Sequence, residues 1–222
     1  MKYTSAFEII GPIMVGPSSS HTAGAVRIGS MARQLLGEQP IQVTFQLIGS
    51  FAETYQGHGT DLALLAGILG MTTDSSDVPN ADKAAMDQGV AYTFTKGSAG
   101  THHPNTVLIL AEGATRSVKL LASSLGGGKA EVQELDDFPV TFTGEKPTLI
   151  FSHTDEKGFL AAVSRILNQN GYNIARLALE RKKKGGSAMT ICEVDEIVRQ
   201  EVVQELKHTM PGLQEIRFVQ TV

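Results

Sequence analysis

The chain has 222 residues, 41% hydrophobic and 19% charged, with a formal net charge of −4 and a pI near 5.9. That balance excludes a disordered chain and gives no overall attraction for nucleic acid. Length allows one large domain or two small ones.

The opening segment, MKYTSAFEIIG, carries Glu8 within its apolar stretch and has no signal-peptide pattern, so a cytoplasmic protein is expected. The most apolar run, Leu62 to Met71, is too short to span a bilayer. In chain order, Ser5 to Ile10 reads as a short helix stopped by Gly11-Pro12. From Thr22, Ala25, Ile28, Ala32, Leu35 and Leu36 share one helical face, with Gly37 as the stop. The segment from Ile41 alternates as a strand, and HGTDLALLAGILG reads as a second helix. AYTFTKG, NTVLILAEG, TRSVKLLAS and KAEVQELD read as strands, the last three forming an antiparallel meander. Residues 136–147 hold two prolines and a glycine; a short strand and then a domain boundary near Lys146-Pro147 are expected there. Beyond it the order is βαββαβ, a ferredoxin-like sandwich, with Phe159, Leu160, Val163, Ile166 and Leu167 on one helix face.

Three segments can carry chemistry. Gly16-Pro17-Ser18-Ser19-Ser20-His21-Thr22 lies where a loop becomes a helix. Its hydroxyls and first-turn N–H groups suit a carboxylate or phosphate, and His21 suits proton transfer near neutral pH. The same residues read as an ordinary helix cap with a surface histidine. Gly49 to Tyr55 and Gly57-His58-Gly59-Thr60-Asp61 follow a strand and open a helix, with His58 and Asp61 spaced to share a face. A capping box explains Thr60 equally well but not a histidine between two glycines. Gly100 to Thr106 holds His102 and His103 without the spaced ligands of a metal site, and reads as a polar loop. Gly126-Gly127-Gly128 reads as a tight turn, not a phosphate loop. The single cysteine, Cys192, sits in an alternating strand as a core residue; it permits no internal disulfide and no unaided iron–sulfur cluster.

Taken together and in this order, residues 16–22, 49–61, 103–105 and 126–128 resemble the β chain of bacterial, oxygen-sensitive, iron–sulfur L-serine dehydratase over residues 1–146. Residues 148–222 resemble an ACT domain, through the βαββαβ order, Asp155 with Gly158, and Gly171 with Asn173-Ile174; Lys157 departs from a proline common in that loop. The resemblance implies an α+β fold, with a first domain like the allosteric substrate-binding domain of some phosphoglycerate dehydrogenases. It implies conversion of L-serine to pyruvate and ammonia together with an α chain that ligates a 4Fe–4S cluster. It implies that Ser18, Ser19, Ser20 and Thr22 hold the substrate carboxylate and His21 transfers a proton. His58, Thr60 and Asp61, then His103 and Asn105, complete the expected pocket. Asp155, Gly158 and Asn173 are the expected regulatory residues, and dimerisation through residues 148–222 is expected. The competing expectation is an amino-acid-binding regulatory subunit without catalysis of its own.

Overall fold

The computed structural model describes residues 12–98 and 100–221; the helix expected over Ser5 to Ile10 lies outside the described residues. By contact the chain divides into two compact units, Met1–Asp137 and Phe138–Val222.

In the first unit a π-helical turn, Ser19–Ala23, runs directly into α1, Gly24–Leu36. Every residue expected on the apolar face of α1 is buried, and Val26 and Met31 widen that face. Gly37 ends the helix in a left-handed conformation, its N–H donating to the Arg33 carbonyl. Next come β1 (Gln42–Ile48), α2 (Ser50–His58), α3 (Thr60–Ile68) and α4 (Ala81–Asp87). The strands β2 (Ala91–Lys96), β3 (Thr106–Glu112), β4 (Ser117–Gly126) and β5 (Lys129–Leu135) follow. They form one sheet in the order β2-β1-β3-β4-β5, with β1 and β2 parallel and the β3-β4-β5 meander antiparallel as expected.

Two short helices were not visible in the sequence. The stretch read as a loop after β1 is α2, which buries only Phe51 and Ala52 and so shows no helical periodicity. His58 and Asp61 were expected on one helix face; Gly59, left-handed at φ 64°, ends α2 and starts α3 between them. The change of direction there needs a residue that tolerates positive φ.

Helices α1 and α3 touch backbone to backbone. A Cβ added at Gly29 would lie 2.3 Å from the Leu64 carbonyl oxygen, and one at Gly67 would lie 2.0 Å from that of Val26. Only hydrogens on both sides permit this approach, as in other small-residue helix crossings.

The second unit comprises β6 (Thr148–Thr154), α5 (Phe159–Gln169), β7 (Ile174–Arg181), β8 (Ser187–Val194), α6 (Gln200–Thr209) and β9 (Leu213–Val219). The sheet order β7-β8-β6-β9, wholly antiparallel, is that of the ferredoxin-like sandwich. Both helices pack on one face, on Leu149, Phe151, Cys192 and Ile216. Of the expected face of α5, Phe159, Val163, Ile166 and Leu167 are buried, whereas Leu160 is 37% exposed. Residues 138–147 belong to this unit. Phe138, Val140 and Phe142 are buried and the Arg176 guanidinium donates to the Thr141 carbonyl. The strand expected there does not form, and Asp136 and Asp137 before it hold positive φ.

His153, at the end of β6, is buried and stacks flat on Phe159 at 3.5 Å between centroids. Its Nδ1 donates to the Thr154 carbonyl, 2.7 Å, and its Nε2 accepts from Thr190 Oγ1, 2.9 Å. Burial, the dominant cause, holds its pKa below the ordinary value, against the raising influence of the Thr154 carbonyl and of Asp155 and Glu156.

Two predictions follow from this packing. Gly67→Ala should destabilise the protein by about 1–3 kcal/mol in denaturant unfolding, because overpacking outweighs the helix propensity gained; a stabilised variant would refute the crossing. The His153 contribution should be complete above the ordinary imidazole pKa of about 6.5 and lost as pH falls, because the unfolded chain takes up the proton first. The drop in melting temperature between pH 7.5 and 5.5 should therefore be smaller in His153→Gln than in the parent, and an equal drop would count against it.

Candidate functional site

The site grows from the π-helical turn. Ser18, extended at φ −143° and ψ 126°, caps it: its Oγ accepts the backbone N–H of His21, 3.3 Å. A single π turn inside a helix start widens the backbone and re-aims one side chain, and such turns are frequent at functional sites. Here the turn carries His21. Ser18 Oγ lies 3.2 Å from Ser20 Oγ, and Ser20 Oγ lies 3.1 Å from His21 Nδ1. On the far side of the ring, Nε2 lies 3.2 Å from Thr54 Oγ1 and 3.4 Å from Ser50 Oγ. The ring packs edge-on to Phe51, 5.3 Å between centroids, and lies 4.9 Å from the ring of His58. Burial, and after it the charge of His58, holds the His21 pKa below its ordinary value, so the imidazole is neutral at neutral pH.

Helix α2 brings His58 to this point. Its Nδ1 lies 3.3 Å from the Thr54 carbonyl, and the imidazole is exposed. A cavity of about 210 Å³ opens beside it, walled by Gly16, Pro17, Thr22, His58, Leu62 and Val78. Thr22 and Thr60 are buried and their hydroxyls have no partner among the described residues. Gly16 is open enough for Thr22: a Cβ there would meet the Thr22 hydroxyl at 2.4 Å. Asp61 is bonded at the start of α3. Its Oδ1 accepts the Leu62 N–H, 2.9 Å, and burial is the main cause of its raised pKa, with Asp82 on α4 adding to it.

The 103–105 loop reaches the same region from two sides. A Cβ at Gly49, which precedes Ser50, would lie 2.5 Å from the Pro104 carbonyl oxygen. The Asn105 carbonyl accepts from the Ser124 N–H, 2.8 Å, and a Cβ at Gly24 would lie 2.1 Å from Ser124 Oγ. His103 Nδ1 accepts from the Asn105 N–H, 3.2 Å, and therefore shapes the loop itself. Ser18, Ser20, His21, Thr22 and His58 are thus gathered at one place, with His103 and Asn105 in the adjoining loop. Ser19 lies in the π turn, half-buried.

The three residues expected to be regulatory are not gathered. Asp155, after β6, accepts from Arg181, 2.9 Å, and from the Gly185 N–H, 3.0 Å, which hold its pKa below the ordinary carboxylate value. Gly158, at φ 90°, starts α5 with open space about it. Asn173 lies before β7, at the opposite end of the sheet from Asp155, bonded to Asp195 and Glu196. Ser50 and Thr54, which touch His21, were not singled out individually in the sequence; their spacing of four is legible only once the segment is known to be helical.

An iron–sulfur cluster requires several thiolates. The chain has one cysteine, and Cys192 is buried in β8 with its thiol pushed up to about 12, first by burial and then by Glu193. Among the described residues no three His, Cys, Asp or Glu side chains converge to hold a metal ion. The donor set of this chain does not fit a cluster. No helix of the described residues is long and apolar enough to cross a membrane.

Comparison with known proteins bears on these features. The family model of the serine dehydratase beta chain matches residues 5–96, and that of the ACT domain matches residues 148–207. The chain is 40% identical to a probable L-serine dehydratase, beta chain, of Bacillus subtilis, over 93% of this chain and 94% of that one. It is 36% identical to the L-serine dehydratase, beta chain, of Peptoniphilus asaccharolyticus, over 95% and 94%. It is also 26% identical, over 88% of its length, to a D-3-phosphoglycerate dehydrogenase of Bacillus subtilis, of which it matches 37%. With the serine- and histidine-rich turn inside the matched region and similarity running along nearly the whole of both β chains, this chain belongs to the serine dehydratase β-chain family and carries an ACT domain on its C-terminal side.

Proposed function

We propose that this chain is the β subunit of an L-serine dehydratase and acts in the cytoplasm with an α chain to convert L-serine to pyruvate and ammonia by β-elimination. The observation that carries the reading is the run of hydroxyls from Ser18 through Ser20 to the Nδ1 of a neutral His21. Beside it stands the buried Thr22 hydroxyl, which has no partner among the described residues. A small zwitterion supplies what such a site needs: a carboxylate to accept several hydroxyl protons, and a carbon-bound proton for a base to remove. In this reading Ser18, Ser19, Ser20 and Thr22 hold the carboxylate, and His21 takes the α proton. His58 lines the pocket next to it, Thr60 and Asp61 bind at the start of α3 that follows, and His103 and Asn105 contribute from the adjoining loop.

The 4Fe–4S cluster that the family resemblance implies belongs in this reading to the α chain, because the donor set here does not fit one. The first unit, to Asp137, acts as the dehydratase unit. Residues 148–222 act as the regulatory unit, through Asp155, Gly158 and Asn173, and as the surface of homodimerisation.

A specific observation favours a second reading. The same two-part sequence recurs at 26% identity as about a third of a phosphoglycerate dehydrogenase, an enzyme named for a different reaction. A module that serves two chemistries can be an amino-acid sensor, and this chain would then bind serine without transferring a proton.

Anaerobic co-expression with the α chain distinguishes the two. Pyruvate should form from L-serine only when both chains and iron are present. His21→Ala should lower kcat by about 10²–10⁴-fold with iron content unchanged. A variant that keeps the maximal rate while losing its response to serine would establish the sensor instead.

A further inference from the structure

Thr54 touches both histidines of the site, and its hydrogen bonds fix where their protons are. Its hydroxyl donates to the Ser50 carbonyl one helical turn back, at 2.8 Å, the shortest bond it makes. A hydroxyl has one proton. Toward His21 Nε2, at 3.2 Å, Thr54 Oγ1 therefore presents lone pairs, and a hydrogen bond between them, shorter than the 3.4 Å contact with Ser50 Oγ, requires Nε2–H. A neutral imidazole has only one N–H, so His21 Nδ1 is unprotonated and accepts from Ser20 Oγ, 3.1 Å away. Ser20 Oγ in turn is free to accept from Ser18 Oγ, 3.2 Å, and Ser18 Oγ accepts the His21 backbone N–H. Every member of the chain then has one donor for each acceptor.

The second histidine is set the opposite way. His58 Nδ1 lies 3.3 Å from the Thr54 carbonyl oxygen, which can only accept. His58 Nδ1 therefore carries a hydrogen, and in the neutral ring Nε2 is left with the lone pair. One residue thus holds two imidazoles, 4.9 Å apart, in opposite tautomers.

We propose that Thr54 is a positioning residue of this site, fixing His21 as the Nε2–H tautomer and His58 as the Nδ1–H tautomer, so that the proton-accepting atoms are His21 Nδ1, reached through Ser20, and His58 Nε2. The inference rests on the reading of His21 as a proton-transfer group only for its consequence in turnover; the tautomers stand on the hydrogen-bond geometry. Ser50 supports the arrangement through its carbonyl, which takes the Thr54 proton; its own hydroxyl, 3.4 Å from the same His21 nitrogen, accepts alongside Thr54 when Nε2 is protonated. Second-layer partners of this kind commonly orient a histidine and decide which nitrogen is basic.

The test is imidazole nitrogen NMR on the full chain labelled with ¹⁵N-histidine, where His21→Ala and His58→Ala assign two of the six histidines. In the parent, His21 should show a protonated Nε2 and an unprotonated Nδ1, with His58 the reverse. Thr54→Val, which keeps the branched shape and removes the hydroxyl, should move the His21 nitrogens toward a mixture of tautomers and leave those of His58, held by the backbone carbonyl, unchanged. Thr54→Ser should restore the parent pattern. In the complex with the α chain, Thr54→Val should lower kcat by about 10–100-fold with little change in KM, and Thr54→Ser should recover it. A parent spectrum with Nδ1–H on His21, or one that Thr54→Val leaves unmoved, overturns the proposal. An inactive parent complex with the expected spectrum would overturn the dehydratase reading and uphold the tautomer assignment, so the two failures are separable.

Discussion

The contact on which the first unit depends is the crossing of α1 and α3 at Gly29 and Gly67. The helices approach closely enough that either Cβ would strike the partner's backbone. Both helices begin beside the same cavity: Thr22, just ahead of α1, and Gly59, just ahead of α3, are among its walls. The crossing therefore sets the gap between the serine-rich turn and His58. A wider pair of helices would leave the same residues in the same elements but separate the two imidazoles. The sheet beneath adds a second fixed point, because Gly24 lies against Ser124 of β4 and Gly49 against Pro104.

On that frame the polar groups are arranged by a few hydrogen bonds with little slack. His21 has a hydroxyl on each ring nitrogen and an aromatic edge against its face. Burial and a neighbouring histidine both oppose its charging. A neutral, oriented imidazole is what a proton acceptor near neutral pH requires. The buried hydroxyls of Thr22, Thr60 and Ser124 have no partner among the described residues. Buried polar groups without partners are uncommon, and a polar ligand in the cavity would supply one to Thr22, which lines it.

Most of the architecture was legible in the sequence. Period-two alternation marked the β3-β4-β5 meander, and the βαββαβ order marked the second unit, because there the elements are long and one face of each is buried. Helices α2 and α4 were not legible, since each is short and buries only two residues. The motif at residues 16–22 was visible as a cluster of hydroxyls and one histidine. That the turn is π-helical was not, because it follows from packing rather than from residue type. The histidine between two glycines was conspicuous in the sequence. Its approach to His21 needed the break at Gly59, and the part played by Thr54 needed the helix that carries it. Asp155 and Asn173 lie apart within one chain because parallel β6 and β7 place the loop after the one and the loop before the other at opposite ends of the sheet.

The central claim is that L-serine enters through the first unit, at the turn that carries His21. Hydrogen exchange of the anaerobic complex with the α chain, with and without L-serine, tests it most directly. The account predicts slowed exchange in residues 16–22 and 50–61. Slowing confined to residues 148–222, with the serine-rich turn unaffected, would contradict it.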